Sequence, residues 1–315
     1  MTTPLDEFAA EVGSDDPVSC AGGRTQWHVG GGLISGTREV SAPAGVVAHE
    51  PAEMIVRVRA GTTLQELQSA LAAGGQAVAL EADDPGRATV GGILAVGRSG
   101  FRRLGLGPVR DAVLEVTAVS AAGELVRSGA PLVKNVTGYD LCRLFVGSLG
   151  TLALMAEVVL RCKPRPEVES WWVGETADVF DVFARLYRPL SVLWDGTRTW
   201  VGLAGHTVDV EEQARSVLGS GFAPAEGPPP APGPRRRSLS PGAFRTVGDQ
   251  AGTDGGWLAE VGVGLVHCTP DVAARLGSPL PPAPAVEQLH DAVKQRFDPR
   301  GRLNPGRSPL GAVAS

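Results

Sequence analysis

The sequence has few cysteines, no excess of positive charge and no long apolar run, and each shortage excludes a class of protein. Its four cysteines, Cys20, Cys142, Cys162 and Cys268, stand far apart without a Cys-x-x-Cys pair. This spacing is typical of buried small hydrophobic residues in a reducing compartment, and it argues against a zinc site or a disulfide framework. The formal net charge is −5, so a general nucleic-acid surface is not expected.

The chain also lacks the patterns of a membrane span and of a secretory leader. Its longest apolar stretch, residues 149–160, is interrupted by Glu157 and is shorter than the ~20 residues that cross a bilayer as a helix. The N-terminal region is acidic, with Asp6, Glu7 and Glu11, and lacks the basic-then-apolar order of a signal peptide. We therefore expect a cytoplasmic protein.

What the chain has in plenty is glycine and proline, 42 and 25 of its 315 residues. Glycine without a collagen repeat indicates many tight turns, or many places where the backbone approaches a ligand closely. The length suggests about two domains.

The first domain is predicted to cover residues 1–166 and to contain a β-α-β unit. Residues 54–58 are β-prone, and Thr63-Leu64-Gln65-Glu66 has the pattern of a helix capping box. Apolar residues then recur at helical spacing until Gly74-Gly75, and a second strand follows at 76–80.

A hairpin and a long strand complete this domain. Strand-like runs at 112–120 and 124–127 are separated by a short turn sequence, which predicts a β-hairpin. A β-prone run over 151–161 ends at Pro164-Arg165-Pro166, where we place the domain boundary.

The second domain is predicted to cover residues 167–285 in the order β-α-β-β-α-β. This is the ferredoxin-like order, an antiparallel sheet with helices on one side. Strands are predicted at 168–173, 191–194, 199–203 and 257–266, and helices at 176–187 and 207–218.

A proline- and glycine-rich segment, residues 223–241, interrupts this domain and carries Arg235-Arg236-Arg237. Such a composition buries too little apolar surface to order itself, so we expect a solvated loop; the arginines leave contact with an acidic partner as the alternative. Residues 286–315 are predicted to form a terminal helix and a tail that returns to the first domain.

Glycine clusters mark the first domain. They are Gly30-Gly31-Gly32, Thr89-Val90-Gly91-Gly92 and Gly147-Ser148-Leu149-Gly150-Thr151. Successive glycines let backbone N–H groups point together at an anion, although a simple turn explains any one cluster more readily. The P-loop pattern is absent, and Gly262-Val263-Gly264 lies in a β-prone run without the third glycine of a dinucleotide fingerprint.

Taken together, several motifs closely resemble the p-cresol methylhydroxylase and vanillyl-alcohol oxidase (PCMH-type) flavoprotein superfamily. They also resemble the FAD-binding subunit of glycolate oxidase, over roughly residues 25–166 and 286–309. The matching stretches are the first two glycine clusters, Ser99-Gly100-Phe101-Arg102-Arg103, Lys134-Asn135-Val136-Thr137-Gly138-Tyr139-Asp140, the third cluster with Glu157-Val158, and the tail Phe297-Asp298-Pro299 to Asn304-Pro305-Gly306-Arg307. Several motifs in order are more specific than any one alone.

The resemblance implies an α+β fold, a two-subdomain PCMH-type FAD-binding domain with a small ferredoxin-like cap, and FAD as cofactor. It implies that the glycine clusters surround the diphosphate, that Ser99 and Gly100 run beside the flavin, and that later residues approach the adenosine and the flavin edge. The implied cofactor-binding residues are Gly30, Gly31, Gly32, Leu33, Thr89, Gly91, Gly92, Ser99, Gly100, Arg102, Arg103, Gly147, Gly150, Glu157, Val158 and Asn304.

Two departures from the resembled pattern concern histidine. Relatives with covalent flavin attach it through a histidine just after the first glycine pair, where this chain reads Gly32-Leu33; we therefore predict non-covalent FAD. Related 2-hydroxy-acid dehydrogenases carry paired histidines near the flavin, whereas His206, His267 and the other histidines here are isolated. No metal site is predicted.

Oxidation of a 2-hydroxy acid needs a base for the hydroxyl proton and a cation for the carboxylate. His206 and His267 are candidates for the base, although a turn residue and a strand end are the commoner roles. Arg102 and Arg103 are candidates for the cation, with a phosphate contact or a surface role as alternatives. The sequence assigns no catalytic residue.

The resemblance implies an FAD-dependent oxidoreductase subunit that oxidises a small 2-hydroxy acid such as glycolate. It also implies a complex with larger flavoprotein and iron–sulfur subunits. The alternative hypothesis is a non-catalytic FAD-binding subunit that serves assembly or electron relay.

Overall fold

The structure, a computed structural model, describes residues 2–130, 141–176, 178–252, 255–277 and 282–310. The chain divides into two compact units. Unit 1 comprises Met1–Gly100, Pro108–Arg165 and Pro282–Val313, and unit 2 comprises Phe101–Gly107 and Pro166–Pro281. The motif at 134–140 lies outside the described residues.

Most of the strands belong to two antiparallel sheets, one in each unit. In chain order the strands are β1 (Val18–Cys20), β2 (Arg38–Val40), β3 (Val46–Glu50), β4 (Ile55–Arg59), β5 (Gln76–Val78), β6 (Val113–Val119), β7 (Leu125–Gly129), β8 (Leu154–Pro164), β9 (Val168–Glu175), β10 (Ser191–Trp194), β11 (Arg198–Gly205), β12 (Phe222–Ala225), β13 (Arg235–Ser238), β14 (Trp257–Glu260) and β15 (Leu265–Cys268).

Most helices are short and lie between the strands. In chain order the α-helices are α1 (Pro4–Val12), α2 (Leu64–Ala72), α3 (Val90–Val96), α4 (Arg103–Leu106), α5 (Leu141–Phe145), α6 (Val179–Arg185), α7 (Thr207–Gln213), α8 (Pro241–Arg245), α9 (Val247–Ala251), α10 (Pro270–Arg275) and α11 (Pro284–Phe297).

The sheet of unit 1 runs in the order β3-β4-β8-β6-β7, and β5 also pairs with β8. Because β4 and β5 are both antiparallel to β8, they are parallel to each other, and α2 connects them. This confirms the predicted β-α-β unit. The capping box is present, since Thr63 Oγ1 accepts from the N–H of Glu66 and a Glu66 carboxylate oxygen accepts from the N–H of Thr63.

A small parallel pair, β1 with β2, stands apart from this sheet. A bridge between Val18 and Leu303 ties it to the C-terminal tail, and Val18, Leu154 and Leu303 share one buried cluster with α1. The connection from β1 to β2 begins with Ala21-Gly22-Gly23. The tail therefore packs against the strand from which that turn begins.

The sheet of unit 2 runs β12-β9-β11-β10-β14-β15-β13. Its segment β9-α6-β10-β11-α7-β12 has the predicted ferredoxin-like order, but the fourth strand is β12, not the predicted strand at 257–266. That prediction was wrong in detail, because residues 257–266 form the hairpin β14–β15 on the other side of β10. The turn contains Gly262 and Gly264 with φ of 83° and 79°, a conformation that favours glycine.

The expectation of a solvated loop throughout residues 223–241 was also wrong at both ends. Residues 223–225 belong to β12, which pairs with β9, and Arg235–Ser238 form β13, which pairs with β15. Pairing of this kind satisfies backbone N–H and C=O groups whatever the side chains are, so an arginine-rich segment can form an edge strand without apolar burial.

Candidate functional site

A cavity of about 330 Å³ lies in unit 1. Small residues make up much of its wall, which includes Ser41, Ala42, Ala60 and Gly61 as well as three further groups of residues, here called segments. The lining residues include Cys20, Ala21, Gly22 and Gly23 of the first segment, Arg87, Thr89, Gly91 and Gly92 of the second, and Leu149, Gly150 and Asn304 of the third.

The turn after β1 is pressed tightly against the second segment. A Cβ atom on Gly23 would lie 1.7 Å from the carbonyl oxygen of Arg87, and one on Gly22 would lie 2.3 Å from Thr89 Oγ1. Only glycine fits these two positions without displacement of the neighbouring segment. Within the described residues, the N–H groups of Gly22 and Gly23 donate to no protein acceptor, so both are available to a ligand.

The second segment turns into helix α3. Thr89 caps this helix, its Oγ1 accepting from the N–H of Gly92 at 3.2 Å. A Cβ on Gly91 would lie 2.8 Å from the Cβ of Ala60, so this glycine lets the start of α3 lie against the end of β4. In the pattern Thr-x-Gly-Gly, the threonine thus caps helix α3, and the first glycine allows the backbone to lie close to Ala60.

The third segment is held by Asn304 of the tail. Its Nδ2 donates to the carbonyl oxygen of Leu149 at 2.8 Å, and Leu149, Gly150 and Asn304 all have positive φ, 53°, 67° and 45°. Left-handed backbone at two non-glycine residues is costly and is typical of functional sites.

A second cavity, of about 80 Å³, shares Cys20, Gly22, Gly23, Thr89, Gly92, Leu149 and Asn304 with the first and is also lined by Trp27 and Arg307. The guanidinium of Arg307 lies 4.2 Å from the centre of the Trp27 ring, and that of Arg24 lies 4.8 Å from it. Arg307 also donates to the carbonyl oxygens of Trp27 and Val29. An aromatic ring and cations therefore stand beside the glycine turn.

These residues fit a dinucleotide diphosphate. Adjacent free N–H groups at a glycine turn form a concave anion site, and arginine suits phosphate. Arg24, Arg87 and Arg307 lie in the lining of the two cavities.

The structure brings together only some of the sequence-predicted cofactor residues. Thr89, Gly91, Gly92, Gly150 and Asn304 line the main cavity. The remaining predicted residues of unit 1 line neither cavity: Gly30, Gly31, Gly32, Leu33, Ser99, Gly100, Gly147, Glu157 and Val158.

The cluster Gly30-Gly31-Gly32 packs on the C-terminal tail. The carbonyl oxygen of Gly30 accepts from the N–H of Ser308 at 2.8 Å, and the N–H of Ile34, just past Leu33, donates to the carbonyl oxygen of Pro305. The turn that does line the cavity, Gly22-Gly23, was missed by the sequence analysis. Its signal was a glycine pair directly after the β-prone run Val18-Ser19-Cys20.

The other predicted residues outside the cavity have structural contacts. Ser99 Oγ accepts from the N–H of Val109, a Cβ on Gly100 would lie 2.6 Å from the carboxylate of Glu81, and the N–H of Gly147 donates to the carbonyl oxygen of Leu94. Each helps to pack unit 1.

Glu157 and Val158 belong to the sheet interior. Val158 is buried in the core, and Glu157 shares the guanidinium of Arg57 with Glu115, at 3.0 and 2.8 Å. Burial alone would lower the pKa of Arg57, but its bonds to the two carboxylates raise it above its usual value. These charges stabilise the junction of β4, β6 and β8.

Arg102 and Arg103 belong to unit 2. The guanidinium of Arg102 pairs with Glu169 at 2.6 Å and lies 5.9 Å from the centre of the Trp171 ring. Burial would raise the pKa of Glu169, but its bonds to Arg102 and to Trp171 Nε1 hold that pKa below its usual value. Arg103 is the first residue of α4.

The two candidate histidines differ in environment. His206 is exposed and its Nδ1 lies 2.8 Å from Glu167; this hydrogen bond and the charge of the carboxylate raise the pKa of His206. His267 is buried, and its Nε2 lies 2.6 Å from Glu260. Among the described residues, no group of three or more His, Cys, Asp or Glu side chains is arranged to hold a metal ion.

None of the described helices is both long enough and apolar enough to span a membrane.

Comparison with known proteins identifies the domain. Residues 12–129 match the model of the family described as FAD binding domain. The chain is 35% identical over 163 residues to glycolate oxidase subunit GlcE of Escherichia coli (strain K12), covering 51% of this chain and 47% of that protein. It is 43% identical over 81 residues to glycolate oxidase subunit GlcD of Bacillus subtilis (strain 168), covering 26% and 17%.

A D-lactate dehydrogenase of Anaerostipes hadrus is 32% identical over 158 residues, 48% of this chain and 32% of that protein. The chain thus spans less than half the length of each of these curated relatives. A solved structure of alkyldihydroxyacetonephosphate synthase superposes with a TM-score of 0.70 at 13% identity, covering 95% of this chain and 74% of that one.

The structural likeness shows the fold and confirms the predicted α+β architecture. Thr89, Gly91 and Gly92 of the cavity wall fall inside residues 12–129, as do Gly22 and Gly23. Residues 12–129 match that family's model, and FAD is the cofactor of this chain.

Proposed function

We propose that this chain is the FAD-binding part of an oxidoreductase that oxidises a small 2-hydroxy acid. The observation that carries the proposal is the glycine turn Gly22-Gly23, which lines a cavity and whose N–H groups donate to no acceptor among the described residues. The names of the relatives supply the substrate class, since they are glycolate oxidase subunits and D-lactate dehydrogenases.

Different residues of the cavity would contact different parts of FAD. The N–H groups of Gly22 and Gly23 would bind the diphosphate, with Arg87 close by because it donates to the carbonyl oxygen of Gly23. Thr89, Gly91 and Gly92 would form a second part of the wall, next to this turn, and Gly150 and Asn304 a third. FAD, when bound, accepts the hydrogen and two electrons from the carbon that bears the hydroxyl group.

Anaerobic mixing of the FAD-loaded chain with glycolate or D-lactate tests the activity. We expect the visible absorbance of oxidised flavin to disappear. A flavin that stays oxidised with every 2-hydroxy acid tried would instead support a non-catalytic subunit for assembly or electron relay.

We propose that FAD is held without a covalent bond. Leu33 stands where covalent relatives of the resembled superfamily have histidine. The residues that line the two cavities include no histidine. Cys20 does line both, but burial raises the pKa of its thiol to about 11, so little of the nucleophilic thiolate exists at neutral pH. Acid precipitation should leave a colourless pellet and yellow supernatant; a yellow pellet would contradict the proposal.

We infer that the chain works in a complex with a larger flavoprotein and an iron–sulfur subunit. Two of the relatives are named as subunits. Purification of the tagged chain from its own cells tests this inference. Iron–sulfur absorbance that elutes with the chain in one peak supports the complex, and elution as an iron-free monomer opposes it.

A further inference from the structure

One loop of unit 1 depends on the C-terminal tail for its hydrogen bonds. The loop, residues 25–34, follows the turn Gly22-Gly23 after one residue and contains no helix or strand. Within the described residues, every hydrogen bond that joins the loop to a residue more than three positions away in the chain goes to residues 305–308 of the tail. The tail therefore holds the stretch of chain that continues from the glycine turn.

Arg307 makes the strongest of these contacts. Its Nη1 donates to the carbonyl oxygen of Val29 at 2.8 Å, and its Nη2 donates to that of Trp27 at 2.9 Å. The guanidinium also lies 4.2 Å from the centre of the Trp27 ring. Charge-assisted hydrogen bonds are about twice as strong as neutral ones, and a cation over an indole ring adds to them. Both terminal nitrogens of Arg307 are thus engaged by the loop.

The main chains of the loop and the tail also lie against each other. Two hydrogen bonds between main-chain groups join residues 30–34 to residues 305–308. Gly306 lies between these bonds with a φ of 90°, and a Cβ on it would lie 2.5 Å from the carbonyl oxygen of Gly32. Only glycine fits at position 306 without displacement of the loop.

The loop and the tail meet beside the two cavities. Asn304 lines both cavities, and Trp27 and Arg307 line the second one. Gly22 and Gly23 also line both cavities and lead into the loop. Release of the tail would therefore remove part of the wall of each cavity and would free the loop that continues from the proposed diphosphate turn.

We propose that residues 25–34 and 305–308 form a clasp that holds the FAD site in its binding shape, with Arg307 as the positioning residue. The proposal rests on the FAD site proposed above. Closure of the clasp orders the loop before FAD arrives, so that the binding of FAD does not have to offset this loss of conformational entropy. Binding and closure are then coupled, and the coupling is reciprocal: the closed clasp tightens FAD binding, and bound FAD keeps the clasp closed.

Fluorescence titration of the FAD-free chain with FAD measures the first effect. We expect Arg307→Met, which removes the charge and both hydrogen bonds, to weaken FAD binding about 10-fold or more. Arg307→Lys restores the charge but not the paired donation, and should recover only part of the loss. Arg300→Met is the matched control, because Arg300 is an exposed arginine of the same tail and its carboxylate partner, Asp15 at 3.4 Å, is exposed too. It should stay within about twofold of wild type.

Hydrogen exchange, followed by mass spectrometry, separates positioning from a direct phosphate contact. If Arg307 positions the loop, Arg307→Met should speed amide exchange in residues 25–34 about 10-fold or more even without FAD. A role limited to phosphate binding would leave the FAD-free loop at the wild-type rate. In wild type, added FAD should slow exchange both in the loop and in residues 305–308, whereas in Arg307→Met it should no longer slow exchange in the tail.

The outcomes separate the clasp from the FAD site itself. Unchanged FAD affinity in Arg307→Met, or unchanged exchange in its FAD-free loop, overturns the clasp and leaves the FAD site as proposed. An equal weakening of FAD binding by Arg300→Met also overturns the specific role of Arg307. If FAD slows exchange in wild type neither in the loop nor around Gly22 and Gly23, the proposed site is wrong, and the clasp falls with it.

Discussion

Substitution of Gly23 distinguishes the two turns that are candidates for binding the diphosphate, Gly22-Gly23 and Gly30-Gly31-Gly32. A methyl group there would lie 1.7 Å from a backbone oxygen of Arg87, so Gly23→Ala must shift the backbone at a cost of about 1–3 kcal/mol. We expect the affinity for FAD to fall about tenfold or more, since each 1.4 kcal/mol corresponds to ~10-fold. Fluorescence titration of the apoprotein with FAD measures this.

Gly32→Ala is the matched control from the other glycine cluster. No atom lies within 4 Å of a Cβ built on Gly32, and its φ is not positive, so FAD affinity should stay within about twofold of wild type. The reverse result, a weakened Gly32→Ala with an unaffected Gly23→Ala, would move the diphosphate to Gly30-Gly31-Gly32. The sequence could not show which of the two glycine clusters lines the cavity, because the close approach of Gly23 to Arg87 depends on tertiary packing.

Asn304 has a left-handed backbone conformation, and its side chain donates a hydrogen bond to Leu149. Two substitutions separate the contributions of these two features to stability. Asn304→Gly keeps the backbone conformation and loses the bond to Leu149, which should lower the free energy of unfolding by about 1–2 kcal/mol. Asn304→Ala should lower it by roughly 1 kcal/mol more, because alanine is strained at φ 45°. Urea unfolding measures both; equal losses would mean that backbone strain contributes nothing.

At the scale of elements, the tail is fixed to unit 1 by an ion pair at the end of α11. Lys294 Nζ donates to Asp298 Oδ2 at 2.6 Å and to the carbonyl oxygens of Thr151 and Leu303 at 2.7 and 3.3 Å. Asp298 is buried. Lys294→Met leaves this carboxylate without its cation, and we expect a loss of about 3–5 kcal/mol of stability and faster proteolysis of the tail.

Arg296→Met is the control for that prediction, since it removes a cation from an exposed position of the same helix turn. It should change stability by less than about 0.5 kcal/mol. The double substitution Lys294→Met with Asp298→Asn should recover part of the loss. No recovery would indicate that the bonds of Lys294 to the carbonyl oxygens, not the ion pair, fix the tail.

Elements with a local signal are the ones that the sequence predicts well. The capping box of Thr63 and Glu66 and the leucine spacing of α2 act within one helix, so the pattern alone is sufficient. Strand β13 has no such signal, because Arg235–Ser238 is ordered by pairing with β15. The fourth strand was predicted wrongly for the same reason. It is β12 and not residues 257–266, because the order of strands in a sheet depends on contacts between residues distant in sequence.

At the scale of the whole molecule, the cofactor is more predictable than the chemistry. FAD is indicated by several short motifs in order, each of which can be found in the linear sequence. The buried cluster of Arg236, Glu260 and His267 is assembled from three strands, with Phe101 from a distant part of the chain. Nothing in the sequence pairs these residues, because their contacts depend on the order of the strands in the sheet.

The distribution of ligand and tryptophan between the units allows a test of their independence. The residues that line the two cavities belong to unit 1, whereas unit 2 contains Trp171, Trp172, Trp194, Trp200 and Trp257, all but one of the 6 tryptophans. Flavin release during heating therefore follows unit 1, and tryptophan fluorescence follows mainly unit 2.

If the units unfold independently, free FAD at 100 times its Kd should stabilise unit 1 by about 2.7 kcal/mol and raise the temperature of flavin release. The tryptophan transition should stay where it is. A chain with its FAD removed supplies the baseline for both signals. If added FAD shifts the two transitions together and by the same amount, the units unfold as one cooperative structure.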